Sequence, residues 1–165
     1  MAKNQSMNLQ PPRGLLRWFN RLPIFFYKVG IGWLLGKRFL LLSHTGRKSG
    51  LPRQTVLEVV RYDSQKRIFI VASGWGERSD WLRNVINHPA VHIASGVHRF
   101  EAVAARLQPE AAQAELLDYA RRHPVALKGL SRIMDYQLDG SEESIRALGR
   151  VLPLVAFQAV LEQAD

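Results

Sequence analysis

A chain of 165 residues has room for one domain with one core. Its 47% hydrophobic content is that of a globular protein, and the absence of cysteine excludes disulfides, thiolate nucleophiles and thiolate-bound zinc or iron–sulfur sites. The net charge of +9 calls for an anionic partner, and it is unevenly placed. No acidic residue precedes Glu58, while Lys3, Arg13, Arg17, Arg21, Lys28, Lys37, Arg38, Arg47, Lys48 and Arg53 all do.

Residues 1–13 are polar, pass through Pro11-Pro12 and read as a flexible tail; residues 14–165 read as a single domain. In residues 14–36, Leu16, Trp18, Phe19, Phe25 and Phe26 alternate with Arg17, Arg21 and Lys28, the pattern of a basic amphipathic helix. Pro23 and the glycines at 30, 32 and 36 divide it into short pieces. Such a segment either lies on a membrane surface or packs on the domain with its cations in solvent. It does not span, because Lys28, Lys37 and Arg38 leave no run of roughly 20 apolar residues. With no signal peptide visible, the expected location is the cytoplasm, with peripheral contact at the inner face of the plasma membrane.

Phe39 to His44 is a short buried-type strand, followed by a polar turn, Thr45 to Gly50. Gln54 to Tyr62 and Arg67 to Ser73 form a hairpin around Asp63-Ser64-Gln65-Lys66. Ser79 to Asn87 has helical spacing, with Ser79 or Asp80 as its N-cap, and Pro89 stops it. Val91 to Ser95 and His98 to Leu107 pair around Ser95-Gly96. Helices follow at Pro109 to Arg122, Val125 to Tyr136 and Glu142 to Leu152, then a strand at Leu154 to Gln158. Five to six short, mainly antiparallel strands that do not alternate with helices predict an α+β fold, a small barrel with helices packed outside.

The loop Thr45-Gly46-Arg47-Lys48-Ser49-Gly50-Leu51-Pro52-Arg53 concentrates three cations and two hydroxyls around two glycines. Glycines allow a tight turn and close approach to a ligand, and the cations suit phosphate or carboxylate oxygens. Its spacing is not that of a Walker loop, and a solvated turn with ordinary surface cations is the alternative. The histidines offer no metal site, since Pro89 breaks any helix joining His88 to His92.

The strings LLLSHTGRKSGLPRQTVL and IFIVASGWGERSDWLRNVINHPAVHI resemble, in order and spacing, the deazaflavin-dependent nitroreductase family. Together they run from about Phe39 to Ile93. The resemblance implies a split β-barrel of the FMN-binding-like kind. It implies hydride transfer from a reduced deazaflavin, coenzyme F420, to a quinone, nitroaromatic or activated-alkene acceptor. It places Lys48 and Arg53, with Arg47 nearby, on the coenzyme's phosphate and polyglutamate tail. The strand end Val71, Ala72, Ser73 and Gly74 then lies along the ring, with backbone amides near Ser73 and Gly74 facing charge that develops there. Trp81 and Asn84 join the same pocket, although Trp81 also reads as an ordinary core position.

Two departures stand out. Gly74-Trp75-Gly76 replaces the Lys-Gly-Gly common in the family, exchanging a cation for an indole at the pocket mouth. Tyr119 and Tyr136 fall where family tyrosines approach the acceptor, in surroundings that do not match. Rival readings are FMN on the same barrel, or a non-enzymatic carrier of haem or fatty acid. Nucleic acid is not expected as a partner, because the aromatic residues sit among aliphatic ones and not in a stacking array. The chain is expected to be a monomer or dimer.

Overall fold

A computed structural model describes residues 38–133 and 136–160. The tail (1–13) and the amphipathic segment (14–36) lie outside the described residues. In chain order come β1 (Phe39–Thr45), β2 (Pro52–Asp63), β3 (Ile68–Ala72) and a 3-10 turn (Gly76–Arg78). Then follow α1 (Asp80–Asn87), β4 (Ala90–Ser95), β5 (His98–Arg106), α2 (Pro109–Arg122), α3 (Pro124–Ile133), α4 (Glu142–Val151) and β6 (Leu154–Ala159). The six strands close into a barrel in the order β1-β2-β3-β6-β5-β4, and every neighbouring pair is antiparallel.

Most boundaries match the sequence reading, with two informative exceptions. β2 starts at Pro52, not Gln54, because Pro52 pairs with Thr45 and carries the β1–β2 ladder up to the loop. A proline is tolerated there as the first residue of a strand. α3 ends at Ile133, so Tyr136 is not helical; its amide closes a turn onto the Ser131 carbonyl at 2.8 Å.

Side-chain alternation divides the apolar residues between two cores. Leu40 and Leu42 of β1 point into the barrel, joined by Val59, Phe69, Val71, Ile93 and Phe157. In β2 a bulge changes the phase: Val59 pairs with Val71 but Arg61 pairs with Ile70. Val60 therefore joins the outer core and Arg61 bonds Glu115 of α2, while Tyr62 returns inward to stack on Phe69 at 4.2 Å.

Helix α1 plugs one end of the barrel with Trp81, Leu82 and Val85, and the Trp81 ring stands 6.4 Å from that of Phe157. On the outer face, Ile70 and Leu154 meet Leu116 of α2, Leu127 of α3 and Leu148 of α4. α2 and α4 cross so closely that a Cβ at Gly149 would lie 2.7 Å from the Gln113 Cα, a distance only glycine permits.

A candidate binding cleft at the barrel mouth

The β1–β2 loop closes on its own backbone. The Gly46 amide donates to the Leu51 carbonyl at 2.9 Å, and the Gly50 amide to the Gly46 carbonyl at 2.7 Å. Gly50 sits at φ +67°, in the left-handed region that costs an L-residue roughly 1–2 kcal/mol. A Cβ at Gly46 would stand 2.8 Å from the Ser49 hydroxyl oxygen. Gly50 is thus favoured by the loop's backbone conformation, and a side chain at Gly46 would displace the Ser49 hydroxyl and crowd the Leu51 carbonyl, 3.3 Å away. Between this loop, the start of α1 and the turn after β3 lies a cleft of about 560 Å³.

Arg47, Lys48 and Arg53 all line the cleft, as do Trp81 and Asn84. The three cations are not equivalent. Arg47 is held: its guanidinium donates at 3.0 Å to the Asp80 carboxylate and at 3.0 Å to the Asn84 side-chain oxygen. Its backbone amide donates to the same Asn84 oxygen, also at 3.0 Å. Lys48 and Arg53 are exposed, and among the described residues neither has a carboxylate partner. Asp80 is the single carboxylate among the described residues that line the cleft.

Asn84 is buried and joins three parts of the site. Its oxygen anchors the loop through Arg47, and its amide nitrogen contacts Nδ1 of His44 at 3.2 Å. His44 follows Leu40 and Leu42 on the inward face of β1 and pairs across the sheet with Arg53. Burial, chiefly, lowers its pKa, with the Arg53 charge acting the same way; the Thr45 backbone and Asp80 act against it.

The strand end Val71 to Gly74 takes a different place. Val71 and Ser73 are fully buried and none of the four lines the cleft. The Ser73 amide donates to the Pro153 carbonyl at 2.9 Å, so it does not face a ligand in the cleft. The Ser73 hydroxyl donates to the Gly76 carbonyl at 2.9 Å and lies 2.6 Å from the Ser79 hydroxyl. Ser79 occupies the N-cap position of α1 but caps nothing with its side chain. Its hydroxyl fastens the turn instead, and that turn delivers Trp75 to the cleft wall.

Tyr119 and Tyr136 do not reach the cleft. Tyr119 packs in the outer core, with its hydroxyl donating to Glu58 at 3.0 Å. Burial, then the adjacent Glu58 carboxylate, push its pKa up to about 12. Tyr136 packs against the same outer core. The reason is topological: α2 and α3 cover the outer face of the barrel, away from the mouth plugged by α1. The indole placed at the pocket mouth, Trp75, does line the cleft, whereas sequence reasoning missed His44, Gln54, Thr55, Arg78, Ser79 and Asp80 as lining residues. Asp80 and Asn84 are four apart on a helix that carried a visible motif, and that spacing was the available signal.

Among solved structures, the chain resembles that of an F420-H2 dependent reductase, FDR-A, with TM-score 0.52 and 17% identity over 74% of this chain and 96% of that one. It also resembles a protein described as a domain-swapped dimer, with TM-score 0.54 and 18% identity over 88% and 100% of the two chains. A third is a pyridoxamine 5'-phosphate oxidase-related, FMN binding protein from Nostoc punctiforme, with TM-score 0.52 and 9% identity over 91% and 84%. Identities this low speak to fold, and the fold is the split β-barrel that the family resemblance implies. The model of the F420H(2)-dependent quinone reductase family matches residues 26–135, about two thirds of the chain, which takes in the cationic loop, the barrel mouth and α1. The chain belongs to that family and is an oxidoreductase.

Proposed function

We propose that the cleft binds the reduced deazaflavin coenzyme F420 and that the protein transfers its hydride to a quinone. The observation that carries this reading is the pair of cations that have no carboxylate partner among the described residues, Lys48 and Arg53, on a loop whose third cation is already bracketed. An anion at the cleft has two cations to take up and does not have to break an internal ion pair. The two indoles, Trp75 and Trp81, border the cleft and suit a flat ring.

When bound, the reduced coenzyme supplies the hydride; the chain supplies position, electrostatics and a site with restricted water. Lys48 and Arg53 hold the phosphate and acidic tail, Arg as a two-pronged donor and Lys as a point charge. Arg47 contributes by fixing the loop backbone, since its guanidinium is already bonded to Asp80 and Asn84. Val71 to Gly74 support the site from beneath by setting the turn that carries Trp75. Reduction of a quinone to its hydroquinone takes up one hydride and one proton. A quinone is preferred over nitroaromatic or alkene acceptors because the family takes its name from that activity.

The test is fluorescence titration of the purified protein with coenzyme F420 and, separately, with FMN, followed by turnover with a soluble quinone. Binding of the deazaflavin at micromolar concentration, with FMN much weaker, is the expected result. Tight FMN binding without deazaflavin binding would overturn the assignment. The basic, apolar sequence of residues 14–36 adds a second proposal, contact with an anionic membrane where lipid-soluble quinones reside. Co-sedimentation with anionic but not neutral vesicles is expected, and its absence would remove that contact from the scheme. Among the described residues, no helix is long and apolar enough to cross a membrane.

A further inference from the structure

The proposed coenzyme leaves a buried polar side chain at the barrel mouth, that of His44, without a role. His44 is buried, faces inward at the end of the Leu40-Leu42-His44 row and lines the cleft. Its hydrogen-bonding state follows from its neighbours. The Asn84 side-chain oxygen accepts from two groups that can only donate, the Arg47 amide and the Arg47 guanidinium, both at 3.0 Å. That fixes which end of the Asn84 side chain is oxygen. The other end is an NH₂ group, which can only donate, and it lies 3.2 Å from His44 Nδ1. Nδ1 must therefore be the unprotonated nitrogen, and in a neutral ring the proton sits on Nε2.

We propose that His44 is a positioning residue, locked by Asn84 as the Nε2–H tautomer so that it presents a neutral donor to an uncharged oxygen of the ring system bound in the cleft. This rests on the deazaflavin reading above, whose ring carries carbonyl oxygens. The exposed cations, Lys48 and Arg53, answer the charged end of that ligand. His44 belongs to the inward face and lines the same cleft as Trp81, where a neutral donor matches a neutral acceptor without burying a further charge. The charged groups around it are Arg53 across the sheet, Asp80, and Arg47 beyond Asn84. Burial, and the Arg53 charge, favour the neutral ring that the geometry requires, against the pull of the Thr45 backbone and Asp80.

Two readouts test this. The first uses the protein alone: two-bond ¹H–¹⁵N NMR of His44, assigned with a His44→Gln variant. At pH 6.5, where an ordinary imidazole is half protonated, the spectrum should show a predominantly neutral ring with Nε2 protonated. A ring protonated on Nδ1, or an imidazolium, would overturn the assignment. The second is affinity, measured for coenzyme F420 and for a phosphate-free 5-deazaflavin bearing only its sugar-alcohol chain.

His44→Gln places an amide donor near the Nε2 position and should bind both ligands within about twofold of wild type. His44→Asn reaches only the Nδ1 position and should lose roughly three- to tenfold on both, the value of one neutral hydrogen bond. A loss confined to the phosphate-bearing ligand would mean that His44 reads the anion, and would overturn the proposal. So would equal binding by wild type and His44→Asn, with the coenzyme reading left intact. If wild type binds neither ligand, both readings fall together.

Discussion

Replacing Lys48 and Arg53 together by alanine is expected to weaken coenzyme F420 binding by two to four orders of magnitude while leaving the fold intact. Hydrogen bonds to charged groups contribute about 1.5–3 kcal/mol each, so losing two removes about 3–6 kcal/mol. At about 1.4 kcal/mol per tenfold, that is a factor of roughly 10² to 10⁴. The fold should survive because both side chains are exposed and, among the described residues, hold no carboxylate. Their removal orphans no carboxylate among the described residues and relieves repulsion beside Arg47. The same contacts should make wild-type binding weaken with salt, since exposed charges are screened over about 8 Å at physiological ionic strength. The double variant should lose most of that salt dependence. Titrations at two ionic strengths, alongside a melting curve, check each part. Wild-type affinity in the double variant would place the anion somewhere other than this loop.

How much of this was legible beforehand depends on the range of the interaction concerned. The cationic loop was readable because its logic is local: Gly46, Gly50 and three cations within nine residues specify a tight basic turn whatever surrounds it. Strand and helix positions followed from periodicity for the same reason. His44 could have been found, since alternation from Leu40 and Leu42 already points it inward; it was passed over as the end of a buried strand.

The β2 bulge could not be foreseen. VVRY alternates as well with Arg61 inward as outward, and the choice is made by Glu115 and Phe69, far along the chain. The tyrosines lie away from the cleft for a related reason. Position after the first long helix says nothing about which side of the barrel that helix covers, and the Tyr119 partner, Glu58, lies 61 residues away. At Val71 to Gly74 the strand end was found, but its hydroxyl and amide were already committed to Gly76, Ser79 and Pro153.

Asn84→Leu is expected to cost stability and binding together, which separates it from the Lys48 and Arg53 variants. Leucine has nearly the same shape, but it leaves the Arg47 amide and guanidinium without their buried acceptor and His44 Nδ1 without its donor. Each buried polar group left unpaired costs about 1–3 kcal/mol, so a total of roughly 2–5 kcal/mol is expected after partial relaxation into water. For a chain of this size that lowers the melting temperature by about 5–15 °C. Coenzyme affinity should fall as well, because the loop loses its anchor to α1.

Asn84→Asp distinguishes the two halves of the junction. A carboxylate still accepts from Arg47 but cannot donate to His44 Nδ1, so it draws a proton onto the imidazole and raises the His44 pKa. The sign of the pH effect then reverses. In wild type the lowered pKa means that the His44 contribution to stability is present above the ordinary value near 6.5 and is lost as pH falls through and below it. In Asn84→Asp the raised pKa means stability that is present at low pH and lost as pH rises through the folded value. Melting curves at pH 5.5 and 7.5 should therefore converge for the two proteins at the acid end and diverge at the alkaline end. Parallel curves, or an Asn84→Leu protein that melts and binds like wild type, would show that Asn84 does not tie the loop, α1 and His44 together.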